Sequence, residues 1–413
     1  MCSIFALKMF RHLLAGSLIC LTVLTISAQL QAAELTDLYQ AEVDAGQSQA
    51  QWQQAAMAAV LVKLTGSEQV LTQPAIAAEL KNSANYIRQF QQVQQLGKQL
   101  MQVQLDQQKI TSLLQQQQIA IWGSRRPDLL LWLTEKSLDQ PKFVLEAEHP
   151  LRQALVAQAK QRGLSFVYPM FDVDDLALVS AAQLWAGDWS GLTVAATRYQ
   201  PDLVLNLLVE SVVDANGQAG LRLIRQQLVD GALVQQEYSG TDWNSLGQQL
   251  SQALAAELAA QYAVKVVAAG ASAGNQLQLT IEGISSLSDL VALQKLFSSM
   301  LAVRQFSVVE YQAPKAVLKL ELAATAADFY RALALESRLK PLSTAQTDLM
   351  AQPDSTAVAP VAEPDADLSA AEQAMAAALG VESAPVLPAS TVTAVPDATA
   401  VPVAASHYQF IRR

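Results

Sequence analysis

The 413-residue chain is poor in the residues on which most reaction centres are built. It has two cysteines, Cys2 and Cys20, and three histidines, His12, His149 and His407. Both cysteines fall within the first twenty residues, so the rest of the chain has no disulfide, no thiol nucleophile and no thiolate zinc site. Charged residues make up 15% of the sequence, and acid outweighs base for a net charge of −10. Without a basic stripe to release counterions, a nucleic-acid backbone is excluded as the expected partner. There is no phosphate-binding loop, and no cofactor signature is read from the motifs.

What is present begins with a targeting signal. Lys8, Arg11 and His12 form a basic start, and Leu13 to Ile26 is an apolar run broken only by small or hydroxylic residues. Small residues follow at Ala28, Ala32 and Ala33, which places cleavage after Ala32 or Ala33. The apolar run is shorter than the roughly 20 residues of a comfortable span. Loss of residues 1–33 removes Lys8 and Arg11 and no acid, taking the net charge from −10 to −12. No later stretch is apolar enough to span a bilayer, so the expectation is an exported, periplasmic protein without a membrane span after cleavage.

The fold class read from the pattern is α/β (α+β), in small modules with mixed sheets covered by helices. Residues 34–124 form an N-terminal module: a short strand, an amphipathic helix from Gln47 to Leu64 closed by Gly66, and a second helix from Pro74 to about Phe90. The glutamine-dense stretch from Gln89 to Gln118 reads as a solvated helix face, and Ile119 to Trp122 as a last strand. Residues 125–268 form a central module of order βαβαβββα. Its opening run Leu129 to Leu133 is apolar throughout, as in a strand buried on both faces. Leu203, Leu205, Leu207 and Val209 fall on one side of a later strand, and Val204, Asn206 and Leu208 on the other. Asp214-Ala215-Asn216-Gly217 is a hairpin turn, and Asp230-Gly231 is another.

Ala268 to Gly274 is a small-residue linker, and residues 275–341 form a βαββα module whose last helix runs from Ala326 to Leu339. Residues 342–405 are rich in Ala, Pro, Val, Thr, Ser and acid, a composition that builds no core and predicts a disordered tail. The chain closes on an aromatic and basic peptide, His407 to Arg413, within residues 406–413.

Several blocks carry a resemblance. The stretches LYQAEVDAGQS, VLVKLTG, IWGSRRPDLLLWL, YPMFDVDD, AAQLWAGDW and RYQPDLVLNLLVE are similar to those of the proteobacterial envelope proteins grouped as "domain of unknown function 2066". The likeness covers residues 35–340 in order. It implies an exported protein of Gram-negative bacteria, with no assigned activity or site residues. On topology alone, residues 129–264 resemble the small module of TolB-type amino-terminal domains and of curli-secretion and penicillin-binding-protein-activating lipoproteins. Those are assembly and adaptor proteins, and fold likeness alone carries no function.

Five features qualify as candidate sites, each with a plain structural alternative. Asp172, Asp174 and Asp175 would hold a divalent cation if their carboxylates converged, or cap the following helix if they did not. Arg125 and Arg126 offer an anion or lipid-headgroup site, or a loop with arginine stacked on Trp122. Trp185 and Trp189 form a binding lip or plug one end of a sheet. Gly270-Ala271-Ser272-Ala273-Gly274 matches a nucleophile-elbow pattern, but its helix-then-strand context is the reverse of what that motif needs. Tyr408, Phe410, Ile411, Arg412 and Arg413 would dock as an added strand on a partner, touch anionic lipid as a peripheral membrane contact, or pack back on their own domain as an edge strand. No catalytic residue is assigned. The reading that follows is a non-enzymatic adaptor with an envelope-protein partner. The alternatives are a hydrolase of envelope polymer built on paired carboxylates such as Asp172 and Asp174, and a module that binds a small ligand or lipid in an apolar cleft between modules.

Overall fold

The computed structural model describes residues 37–95, 97–137, 140–213, 217–266, 276–342 and 406–411. The leader, the turn residues Asp214 to Asn216, the linker pattern at 270–274, the tail 343–405 and the last two arginines lie outside the described residues. The fold is α/β, with three separate sheets, each covered by helices.

The first sheet is antiparallel, in the order β1 (Gln40–Asp44), β3 (Lys98–Leu105), β2 (Ile87–Gln95). Helix α1 (Gln49–Thr65) lies across it and buries Trp52, Ala56, Met57, Val60, Leu61 and Leu64. Ser48 and Gln51 form the capping box that starts this helix. Helices α2 (Pro74–Leu80) and α3 (Gln107–Gln116) complete the layer.

Here three expectations are corrected. The second helix stops at Leu80, well before Phe90, and the glutamines from Gln89 to Gln104 lie on a β-hairpin. Ile87, Phe90 and Val93 repeat every three residues, which suggests a helix, but the alternating strand β3 supplies the pairing edge and wins. Gln91 bonds Gln102 across the strands at 2.5 Å, and Gln92 bonds Gln99 at 2.8 Å. The strand expected at Ile119 to Trp122 shrinks to a single bridge between Ile121 and Val264.

The central sheet runs β5 (Gln140–Phe143), β4 (Asp128–Ser137), β7 (Leu203–Val213), β8 (Ala219–Val229), β9 (Ala232–Gly240), and β6 (Ser165–Val167) also pairs with β4. β4 and β7 are parallel, and β7 to β9 form an antiparallel meander. Both faces are covered, as the unbroken apolar run at Leu129 to Leu133 predicts. On one face α4 (Pro150–Arg162) and α8 (Trp243–Tyr262) bury Leu129, Leu131, Leu133, Leu205, Leu207 and Val209. On the other, the short helices α6 (Ala181–Trp185) and α7 (Ser190–Ala196) bury Leu130, Trp132 and Leu208, with α5 (Val173–Leu178) preceding them.

The third sheet has the order β11 (Val303–Gln312), β12 (Lys315–Leu322), β10 (Gln276–Glu282), β14 (His407–Phe410), β13 (Leu339–Pro341). Helices α9 (Leu287–Ser299) and α10 (Ala326–Ala334) cover it around Phe297 and Phe329. Helix α10 ends five residues before Leu339, which begins a strand and does not end a helix, a further correction.

The modules meet closely. Gly66 ends α1 at φ +70 and lies against α8, where an added Cβ would sit 2.3 Å from Ala259 Cβ and 2.5 Å from the Ala255 carbonyl oxygen. Ion pairs cross the same boundary, Lys160 with Glu42 at 2.6 Å and Arg162 with Glu68 at 2.8 Å. The Gly66→Ala change therefore carries both left-handed strain and overlap between modules, and is expected to cost about 2–4 kcal/mol by denaturant unfolding. A loss below about 1 kcal/mol would show that α1 and α8 do not meet at this glycine.

Candidate functional site

The third sheet is completed by the end of the chain. β14 lies between β10 and β13, parallel to the first and antiparallel to the second. Its register pairs Thr280 with His407, Ile281 with Tyr408 and Glu282 with Gln409 on one side. On the other it pairs Leu339 with Phe410, Lys340 with Gln409 and Pro341 with Tyr408. Main-chain bonds clamp both ends: Thr280 N donates to Ser406 O at 2.9 Å, Leu342 N to His407 O at 2.9 Å, and Ile411 N to Arg338 O at 2.9 Å.

The strand alternates, and its two aromatics face the core. Tyr408 and Phe410 are buried, sharing a cluster with Ile281, Tyr330, Leu333 and Leu339. Gly283, at φ +85, shapes the seat. A Cβ there would lie 2.5 Å from Gln409 Nε2 and 2.6 Å from the Phe410 carbonyl oxygen, so the backbone at 283 is bare where the strand passes over it. Of the sequence readings for the terminal peptide, the structure presents the self-docked one. The strand is interior to its sheet, not at the edge, and a partner would meet Tyr408 and Phe410 only after they leave this seat.

Asp172, Asp175, Arg125, Arg126, Trp185 and Trp189 are engaged within the fold, and Asp174 is exposed on α5. Asp172 caps α5, accepting from Asp175 N at 3.1 Å, and takes both Arg198 Nη atoms at 2.8 Å. Arg198 holds the Asp172 carboxyl down at about 2, which leaves it without a proton to give near neutral pH. Asp175 is fully buried and accepts from Tyr199 Oη at 2.5 Å and Phe171 N at 2.9 Å. Burial, then this bond, push the Tyr199 hydroxyl up to about 12. Among the described residues no group of three His, Cys, Asp or Glu side chains is arranged to hold a metal ion. Trp189 is buried beneath the short helices, with Trp185 packed beside it.

Arg126 is not in an open loop. It is fully buried, with its guanidinium 3.5 Å from the centre of the Trp122 ring and Nη2 donating to the Lys63 and Trp122 carbonyls at 3.0 Å each. Burial drives its pKa well down from the ordinary arginine value. Arg125 pairs with the buried Glu336 at 2.7 Å.

Two hollows accompany these features. One, where the modules meet, is lined by Trp122, Arg125, Tyr262, Met300, Leu301 and Leu335 and measures about 40 Å³, space for a few waters at most. The other is an open cleft of about 410 Å³ on the first module, lined by Glu79, Asn85, Tyr86, Lys109, Ser112 and Gln116. Its polar groups already pair with one another, Tyr86 Oη with Glu79 at 2.8 Å and Lys109 Nζ with the Asn85 carbonyl at 2.7 Å.

Packing back on the chain's own domain, as an edge strand, is one of the three sequence readings of the terminal peptide, and its interior seat is not among them. Gly283 and Leu339 to Leu342 carried no functional signal; the alternation of His407, Tyr408, Gln409 and Phe410 was the clue to pairing, and nothing local named the partner edges. Burial, with nearby Tyr330 adding to it, pushes the Tyr408 hydroxyl from 10.0 up to about 12. The neutral phenol is thus favoured in the folded chain. Its contribution is whole below pH 10 and is lost as pH rises through about 12. In an ultraviolet tyrosinate titration, Tyr408→Phe is expected to remove one equivalent from the transition near 12 and none from that near 10. Loss of an equivalent near 10 would show that the strand is not seated.

A family described as "Domain of unknown function (DUF8605)" matches residues 32–123, which span the first sheet, its helices and the approach to Arg126. No curated protein and no solved structure matches the chain.

Proposed function

We propose that this chain is a non-enzymatic, protein-binding adaptor of the bacterial cell envelope, exported to the periplasm by its first 33 residues. The observation that carries the reading is the seat of β14. The third module holds an extended peptide by main-chain bonds on both sides, with two aromatic side chains buried and a bare glycine beneath. Strand addition is a general means of recognising extended peptides, in which the backbone gives affinity and alternate side chains give specificity. Here that means is already in use within the chain.

Two further observations favour an adaptor over the alternatives. A ligand-binding module would need an apolar cleft between modules, and among the described residues the hollow beside Trp122, Tyr262 and Leu301 is about 40 Å³. A hydrolase of paired carboxylates would need both carboxyls free to face a substrate, whereas both oxygens of Asp172 are taken by Arg198, one of them also by Asp175 N. Placement in the envelope rests on the leader and on the resemblance of residues 35–340. Among the described residues no helix is long and apolar enough to cross a membrane.

The test is a titration of a fluorescent peptide of residues 406–413 into the full chain carrying Tyr408→Ala and Phe410→Ala, which weakens the chain's own strand. Saturable binding is expected, and a peptide with both aromatics replaced by alanine should not bind. A flat titration with the native peptide, from a chain whose circular dichroism is unchanged, overturns the reading.

A further inference from the structure

β13 and β14 are an antiparallel pair, and Leu342 N bonds His407 O at 2.9 Å. The chain therefore leaves the sheet at Leu342 and re-enters beside it at Ser406. Topologically this is a hairpin whose loop is residues 343–405. Hairpin loops ordinarily have 2–5 residues. By loop entropy a connection this long closes on the order of 50-fold less readily than a four-residue turn. Local pairing of β13 with β14 gains nothing from such length. The length matters for where else the strand can go.

The site is also built to be vacated. β14 is four residues long and has a strand on each side, so its departure leaves two facing edges, β10 and β13, and a gap where Tyr408 and Phe410 were buried. The complementarity of that gap is specific: the register to Ile281 and Leu339, the aromatic cluster, and the close pass over Gly283. One occupant is certain to satisfy all of these, namely the same six residues from another copy.

We propose that residues 406–411 are an exchangeable closing strand, which fills the β10–β13 slot of a second copy when copies are brought together. This deepens the slot reading above and rests on it. Every contact of the closed monomer is reproduced in the exchanged form, so the balance is set by tether against association. A tethered strand competes at an effective concentration of the order of millimolar. Dilute chains keep their strands at home, and chains gathered at a surface or in an assembly exchange them. Reciprocal exchange gives a closed dimer, and head-to-tail exchange gives an open array.

The test uses full chains carrying Cys2→Ser and Cys20→Ser. One population has Glu282→Cys and the other Gln409→Cys. These two positions are register partners on neighbouring strands, and they alternate with the inward-facing Ile281 and Tyr408. Adjacent strands put their Cα atoms about 4.8 Å apart, within disulfide range. Neither population can close this disulfide on itself, so a mixed disulfide formed under diamide reports exchange. Exchange predicts a covalent heterodimer that grows with concentration towards the millimolar range and exceeds a mismatched pair, Val308→Cys with Gln409→Cys, by at least about tenfold. Replacing residues 343–405 by a four-residue turn should lower the heterodimer on the order of 50-fold.

A third chain, carrying Glu282→Cys and Gln409→Cys together, separates the failures. If it closes internally while the mixed pair never exceeds the mismatched one, exchange is overturned and the slot stands. If neither forms, the slot and the exchange fall together.

Discussion

The arrangement of the three modules depends on one buried cation. Arg126 has no carboxylate against its guanidinium, which instead lies on the face of Trp122 and donates to two main-chain carbonyls, those of Lys63 and Trp122. Removing an ionised side chain from water costs several kcal/mol unless its hydrogen bonds are replaced. Here Nη2 alone finds hydrogen-bond partners, one of them at the carboxyl end of α1, where the unpaired carbonyls of a helix are richest in negative potential; Nε and Nη1 have no partner among the described residues, and the Trp122 face offsets part of the cost. The cation is therefore tolerated only if α1, Trp122 and the 121–126 segment are assembled together. The segment then reaches further. Ile121 exchanges both main-chain bonds with Val264 at 2.9 Å, Trp122 N donates to Leu64 O at 2.7 Å, and Arg125 pairs with Glu336. Six consecutive residues thus touch the first module, the end of α8 and the third module.

Three ion pairs act at the same junctions, while others such as Arg198 with Asp172 and Arg225 with Glu257 lie within one module. Lys160 with Glu42, Arg162 with Glu68 and Arg125 with Glu336 all join different modules. Exposed pairs contribute little to stability, but Glu336 and Arg162 are buried, and a buried member left without its partner is costly. Their effect is on relative placement: Arg162 loses its Glu68 partner in any other docking, whereas Glu336 keeps Arg338 of its own module and loses only Arg125. Gly66 acts in the same direction by sterics, since only a bare backbone fits between α1 and α8.

Patterns that depend on one strand or one helix were legible in the sequence. The alternation through Leu203 to Val209 gave both faces of β7 correctly, and the unbroken run at Leu129 to Leu133 gave a strand covered on both sides. Glutamine defeated the reading of β2, because it is at home on an exposed helix or an exposed strand and leaves the decision to the neighbouring strand. Arg126 defeated it differently. An Arg-Arg-Pro sequence reads as surface punctuation, and nothing within it reports that a helix end and a tryptophan will enclose the second arginine. The seat of β14 was illegible for a third reason: its two flanking strands lie about 70 and 130 residues away in sequence, beyond the range of local patterning.

The hub and the closing strand occupy opposite ends of the molecule's stability range. Opening the hub requires the modules to separate and uncovers the surfaces packed between them, Gly66 against α8 and Trp122 against the end of α1 among them. Opening the slot exposes two aromatic side chains and a few main-chain bonds. Burial of Tyr408 and Phe410 holds the strand by roughly 3–6 kcal/mol, and closing the connection through 343–405 takes back on the order of 4 kcal/mol. The remainder, with the main-chain bonds on both sides added, is small beside the free energy of global unfolding, and the proposed exchange draws on that difference. An element that opens locally while its scaffold stays rigid is what reversible strand addition demands, because the edges of β10 and β13 keep their geometry during the opening. In this chain the module junction is organised around the buried Arg126, and the strand proposed to exchange hangs on the connection through 343–405.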